Sequence, residues 1–350
     1  EAAWGCQYDF HSRSSVVFQY RGAVLTQFSE PPGHETSQPH SSLEVSANAS
    51  QHNRVVPSSS NHDESAEYVR LLQQARKYTR KLATSHYENF LVASVLLPRR
   101  MRQPFYDVYA FCRTADDLAD ESSDSEVALR ELDQFQQQLD LAFKGQPEQL
   151  LFVALEATIR QFSIPRKPFE DLLDAFRQDQ HKTRYENVEE LLEYCQRSAN
   201  PVGHIVLHLG QSFSEENRIL SDQICTALQL ANFWQDVARD YAMGRIYLPQ
   251  DQMRQYGVDD TMLDQTTTSE SLRRLLASEC ERAEQMFHAG LPLANSVAPW
   301  LSCDVKLFAH GGLETLRAIR GIDFDVLASR PTVGKLKQFG LVSRAFLGCL

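Results

Sequence analysis

From Glu67 onward one pattern repeats: apolar residues recur at helical spacing between short Gly, Pro or Asn breaks. No stretch alternates with the period of two that a half-buried strand needs. The fold class this dictates is all-α. Candidate helices run over about 67–84, 87–97, 102–121, 125–143, 149–162, 166–178, 187–208, 215–242, 250–256, 269–288, 291–302 and 304–320, with a weaker one near the C-terminus. The segment 187–208 holds "SANPVG" at its middle, so a break is expected there. Ahead of the helices, Glu30 to Ser65 is rich in Ser, Pro, His and Asn and too poor in apolar residues to offset its ordering entropy. The organisation read from this is a disordered or non-native lead over 1–66 and a helical domain over 67–350.

One of these helices makes a chemical demand. In "LQLANFWQDVARDY" (Leu228 to Tyr241) apolar residues wrap most of the way round, yet Gln229, Asn232, Asp236 and Asp240 share one edge. At ~100° per residue that polar stripe is roughly 80° wide. A helix this apolar is normally buried, and buried carboxylates are costly unless paired or bound to a cation. A second segment, "YAFCRTADDLADE" (Tyr109 to Glu121), stacks Asp116 on Asp120, with Asp117 beside them and Arg113 a turn earlier.

Like charges four apart weaken a helix, so local stability selects neither pair. Either pair alone reads as a solvated face with Arg113 or Arg239 as its salt-bridge partner. Two pairs on apolar helices point instead to Mg²⁺, which is held by one or two carboxylates plus substrate phosphate oxygens. Beside a dry helical cavity, such metals would stabilise a departing diphosphate while water is kept from the carbocation left behind. Phe90, Tyr109, Phe111, Phe233 and Trp234 offer ring faces to a cation, although core packing is the ordinary role of each. Arg245 in "GRIYLP" and the loop residues Lys182 and Arg184 are candidate phosphate contacts, the loop pair reading more simply as solvated charges.

Other chemistries are disfavoured. A formal charge of −11, from 35 basic and 46 acidic residues, argues against a nucleic-acid partner. The seven cysteines are odd in number and contain no C-x-x-C, which suits a reduced cytoplasmic setting. No P-loop or dinucleotide fingerprint opens a helix, and His86, the one histidine near the motifs, reads as structural. The N-terminal apolar run is interrupted by Gln19, Arg21 and Gln27, unlike a signal peptide, and no run approaches a membrane span. The C-terminal "FGLVSRAFLGCL" (Phe339 to Leu350) reads as packing on the bundle or as transient contact with the inner membrane face.

The two Asp segments, followed by "GRIYLP", resemble the squalene/phytoene synthase family over Ala75 to Gly348. The resemblance implies an isoprenoid-synthase bundle with Mg²⁺ on Asp116, Asp120, Asp236 and Asp240. Arg113 and Arg245 would contact diphosphate, and Tyr109, Gln229 and Asn232 would line the cavity. Departures are also present. "YCQRSANPVG" (Tyr194 to Gly203) has Gln196 and Arg197 where the family carries an active-site Tyr, and Gln235 replaces an Arg before the second motif. "HYENF" with "SANPVG" is similar to the bacterial hydroxysqualene synthases of hopanoid biosynthesis. The expected reaction is conversion of presqualene diphosphate to hydroxysqualene and diphosphate without NADPH, with Asn200 holding the capturing water, alongside other squalene-pathway enzymes. The rivals are head-to-head condensation of two prenyl diphosphates and a non-catalytic assembly protein, which would be expected to lose the four carboxylates.

Overall fold

The computed structural model of the chain describes residues 61–85, 97–120, 122, 124–334 and 344. They form α1 (Asn61–Ser85), α2 (Arg99–Asp120), α3 (Ser125–Phe143), α4 (Leu150–Phe162), α5 (Lys167–Asp179), α6 (Val188–Ser198), α7 (Asn200–Leu209), α8 (Glu215–Gln235), α9 (Val237–Ala242), α10 (Gln250–Tyr256), α11 (Asp260–Leu263), α12 (Glu270–Gly290) and α13 (Pro299–Gly321). Among the described residues there is no strand, only a single parallel bridge between Arg184 and Ile246. The all-α expectation is met. The expected helix over 87–97, with His86 and Phe90, lies almost wholly outside the described residues, as does the C-terminal tail apart from Arg344.

Helix starts are written locally. Asp124, Asn187, Ser214, Asp259 and Ser269 each sit just before a helix and accept a hydrogen bond from a first-turn backbone N–H. Elsewhere tertiary packing moves the boundaries. Helix α1 begins at Asn61, inside the segment whose composition reads as disordered, because its later turns pack on α2 and α4. The stretch expected to be helical over 291–302 is a 3-10 turn, Leu291–Asn295, and α13 starts only at Pro299, where proline suits a first turn. The break in 187–208 occurs at Ala199 (φ −122°, ψ −50°), one residue before Asn200.

Two large apolar cores result, with a small third cluster of Ala75, Val153 and Ala154 between α1 and α4. One is built mainly by α2 to α5, with Phe111 packed against Phe135, Phe152 and Phe169. The other surrounds α8, α12 and α13 and includes Trp234, Leu276 and Phe287. Val206 and Trp300 touch both. Phe111 and Trp234, candidates for cation contact, are thus fully buried packing residues.

Candidate active site

The polar stripe of the second Asp segment survives a break in its helix. α8 ends at Gln235, Asp236 adopts φ −107° and ψ 15°, and α9 resumes at Val237. The i to i−4 bonds persist, from Asp236 N–H to Asn232 C=O at 2.9 Å and from Asp240 N–H to Asp236 C=O at 2.8 Å. Gln229 keeps 2% of its surface exposed and Asp240 9%, while Asn232 and Asp236 are half-buried. The stripe therefore faces the protein interior and not open water. Gln229 Oε1 is buried there with no hydrogen-bond partner.

On α2, Asp116 is buried and Asp120 half-buried. Arg113 folds onto its own helix, pairing with Asp117 and, at 3.4 Å, with Asp116, while its Nε is buried without a hydrogen-bond partner. Tyr109 is buried below them, and burial pushes its phenol up to about 12.

Arg245 joins the two segments. Gly244 ends the turn after α9 with φ +77°, a left-handed value that glycine takes without strain, and Arg245 N–H then bonds back to Asp240 C=O at 2.8 Å. The next residue is pinned to the loop after α5 by a bond from Ile246 N–H to Thr183 C=O at 2.9 Å. Burial, and then Asp116, push the Asp120 carboxyl up to about 9; burial, and then Asp236, hold Asp240 well above the ordinary range. In both cases the Arg245 guanidinium pulls the other way, so carboxylates from both helices converge on one cation. Its Nη2 donates to Asp179 C=O at 3.4 Å, and its Nη1 is buried with no hydrogen-bond partner.

Sequence reading missed several members of this constellation. Asp179, buried at the end of α5, accepts a hydrogen bond from Tyr194 Oη at 2.9 Å and repels Asp120. Tyr247 stacks on Phe233 with ring centroids 3.8 Å apart and 9° between planes, and Tyr185 and Tyr194 extend the cluster. Arg330, 94 residues after Asp236, grips that carboxylate through Nε and, at 2.9 Å, through Nη2, and also donates to Gln235 Oε1 at 3.0 Å. The replacement of an Arg by Gln235 was the one available signal: a missing cation invites a search for another.

Lys182 and Arg184 do not join the site, since Lys182 pairs with Glu190 and Arg184 with Asp260. Gln196 is exposed and the half-buried Arg197 donates to Gln178 Oε1 at 2.5 Å. Asn200 itself is buried at the start of α7, where its Oδ1 accepts from Thr226 at 2.9 Å.

Among the described residues no three His, Cys, Asp or Glu side chains converge closely enough to hold a metal alone. The mutually repelling carboxylates, with buried guanidinium nitrogens on Arg113 and Arg245 that make no hydrogen bond, fit a divalent cation together with an anionic group.

Residues 83–337 match the squalene/phytoene synthase family model. The structure superposes on squalene synthase HpnC from Alicyclobacillus acidocaldarius with a TM-score of 0.70 and 40% identity, covering 73% of this chain and 96% of that one. A dehydrosqualene synthase solved with a ligand gives a TM-score of 0.73 at 27% identity, over 81% of this chain and 100% of that one. The chloroplastic phytoene synthase of Daucus carota is 26% identical over 80% of this chain and 72% of its own length. With an isoprenoid-synthase bundle, paired carboxylates converging on Arg245 and a family match over most of its length, the chain is a member of the squalene/phytoene synthase family.

Proposed function

We propose that the protein converts presqualene diphosphate to hydroxysqualene with release of diphosphate, as a Mg²⁺-dependent step of squalene and hopanoid biosynthesis. The observation that carries this reading is the segment Tyr194 to Gly203. No Tyr follows Cys195, Gln196 turns outward, and the helix break at Ala199 buries the polar Asn200. The 40% identity to an HpnC squalene synthase, against 26% to a phytoene synthase, supports a squalene-type substrate.

Asp116, Asp120, Asp236 and Asp240 would hold the metal, with Arg330 giving up Asp236 as it binds. When bound, Mg²⁺ neutralises the charge that grows on the departing diphosphate. Arg245 offers its unbonded Nη1, and Arg113 its Nε, to phosphate oxygens. Gln229, Asn232 and Tyr109 would line the polar end of the substrate site, and Phe233 backed by Tyr247 would offer an aromatic face to the cation. Asn200 orients the water that captures the cation, and no NADPH is used.

The phytoene and dehydrosqualene synthase relatives favour a second reading, head-to-head condensation of two prenyl diphosphates. The test is incubation with Mg²⁺ and, separately, presqualene diphosphate and farnesyl diphosphate, followed by mass spectrometry of the lipids. Hydroxysqualene from the first substrate, with the second untouched, is expected. Consumption of farnesyl diphosphate alone would replace the proposal by condensation.

A further inference from the structure

Helix α13 carries a buried acid that none of the chemistry above uses. Leu301, Val305, Ala309, Leu313, Leu316 and Ile319 set its packed face, which belongs to the core around α8 and α12. At ~100° per residue, positions 300, 304, 307 and 311 form a stripe on roughly the opposite side of the helix. Trp300 in that stripe meets Phe105 of α2 edge-on, with centroids 6.1 Å apart, so the stripe is turned toward α2. Leu307 is buried yet packs into neither apolar core. Between them lies Asp304, 3% exposed, whose Oδ1 is buried with no hydrogen-bond partner.

An unbonded buried carboxyl costs on the order of 1–3 kcal/mol, so packing alone does not account for it. Phe105 lies about three turns along α2 from Asp116, so the Trp300 end of the stripe meets α2 well away from the carboxylates that face Arg245. Burial alone pushes its carboxyl up to about 8, so it exchanges a proton near neutral pH, and a neighbouring carbocation favours the ionised form.

We propose that Asp304 is the catalytic residue that takes the proton from the water capturing the rearranged cation. This rests on the hydroxysqualene reading. The C–O bond of presqualene diphosphate breaks and diphosphate leaves with the electron pair. Ring C–C electrons shift to the cationic carbon, so that a cyclopropane bond breaks, a new C–C bond forms and the charge moves; a water lone pair then forms the new C–O bond, and the O–H electrons stay on oxygen as the proton passes to the Asp304 carboxylate, giving alcohol, diphosphate and one proton overall.

The experiment compares the full chain with Asp304→Asn and Asp304→Glu on presqualene diphosphate and Mg²⁺, measuring released diphosphate and lipid products together. For Asp304→Asn, diphosphate release within about threefold of the parent, a drop in alcohol of at least about tenfold and a rise in hydrocarbons formed by proton loss are expected. Asp304→Glu should restore part of the alcohol. If the Asn variant melts early, Asp304→Leu, which removes the unbonded polar group, is expected to fold and to show the same loss. An unchanged alcohol share in a folded variant overturns the assignment and leaves the reading intact; a parent that makes no alcohol from presqualene diphosphate overturns the reading and this inference with it.

Discussion

At Asp120 and Asp240, burial and a neighbouring carboxylate oppose the charged form, and Arg245 offsets only part of that cost. A carboxyl raised in the folded state gives its full stability below its unfolded value near 4 and loses it as the pH rises toward its folded value, about 9 for Asp120. Metal-free protein should therefore lose stability across that window. Mg²⁺ with inorganic diphosphate, which needs ionised carboxylates, should raise the melting temperature more at pH 8.5 than at pH 6, as differential scanning fluorimetry at ~0.15 M salt would read. A shift independent of pH would count against cation binding here. Asp120→Asn should raise the metal-free melt at pH 8 by about 1 kcal/mol, roughly 2–4 °C, and abolish most of the Mg²⁺ response. Arg245→Lys keeps the charge but loses the planar fork, so titration calorimetry with Mg²⁺ and diphosphate should find affinity at least about tenfold weaker.

Among the elements, α12 and α13 cross at Gly312, where an added Cβ would stand 2.1 Å from Phe287 Cζ. Gly312→Ala should cost about 1–3 kcal/mol by overpacking, and Phe287→Leu in the same chain should recover part of it; urea melts of both single variants and the double measure the coupling. The starts of α3, α6, α8 and α12 fall within a residue of those expected from periodicity, and Asp, Asn and Ser caps fix them, whereas the short α11 at Asp260–Leu263 was not expected. The interruption at Asp236 was not, since nothing in "NFWQDVAR" breaks a helix and the ladder continues through it. Nor was the 3-10 turn at Leu291–Asn295, whose apolar spacing equally suits an α-helix.

For the molecule as a whole, the C-terminal segment is tied to the site by Arg330 on Asp236 and Gln235 and by Gln235 Nε2 donating to Pro331 C=O at 2.6 Å. A double-mutant cycle of Arg330→Gln with Asp236→Asn, followed by urea melts without metal, should give a coupling of about 0.5–3 kcal/mol. With metal and diphosphate present that coupling should shrink, because Asp236 then has a second partner. A coupling near zero in both conditions would make the pair a surface accident.

Periodicity and composition by themselves determined the all-α class, and two Asp segments of matched spacing marked Asp116, Asp120, Asp236 and Asp240 as candidates. Those are local properties, legible because helical spacing places residues on one face whatever surrounds the helix. Only the tertiary structure decided that both pairs meet at Arg245, that Asp179 and Arg330 join them, that Lys182 and Arg184 stay outside, and that Asp304 is buried without a partner. Each depends on which helices become neighbours across long sequence separations. Burial then fixes the charge state of a carboxyl as strongly as its own chemistry does.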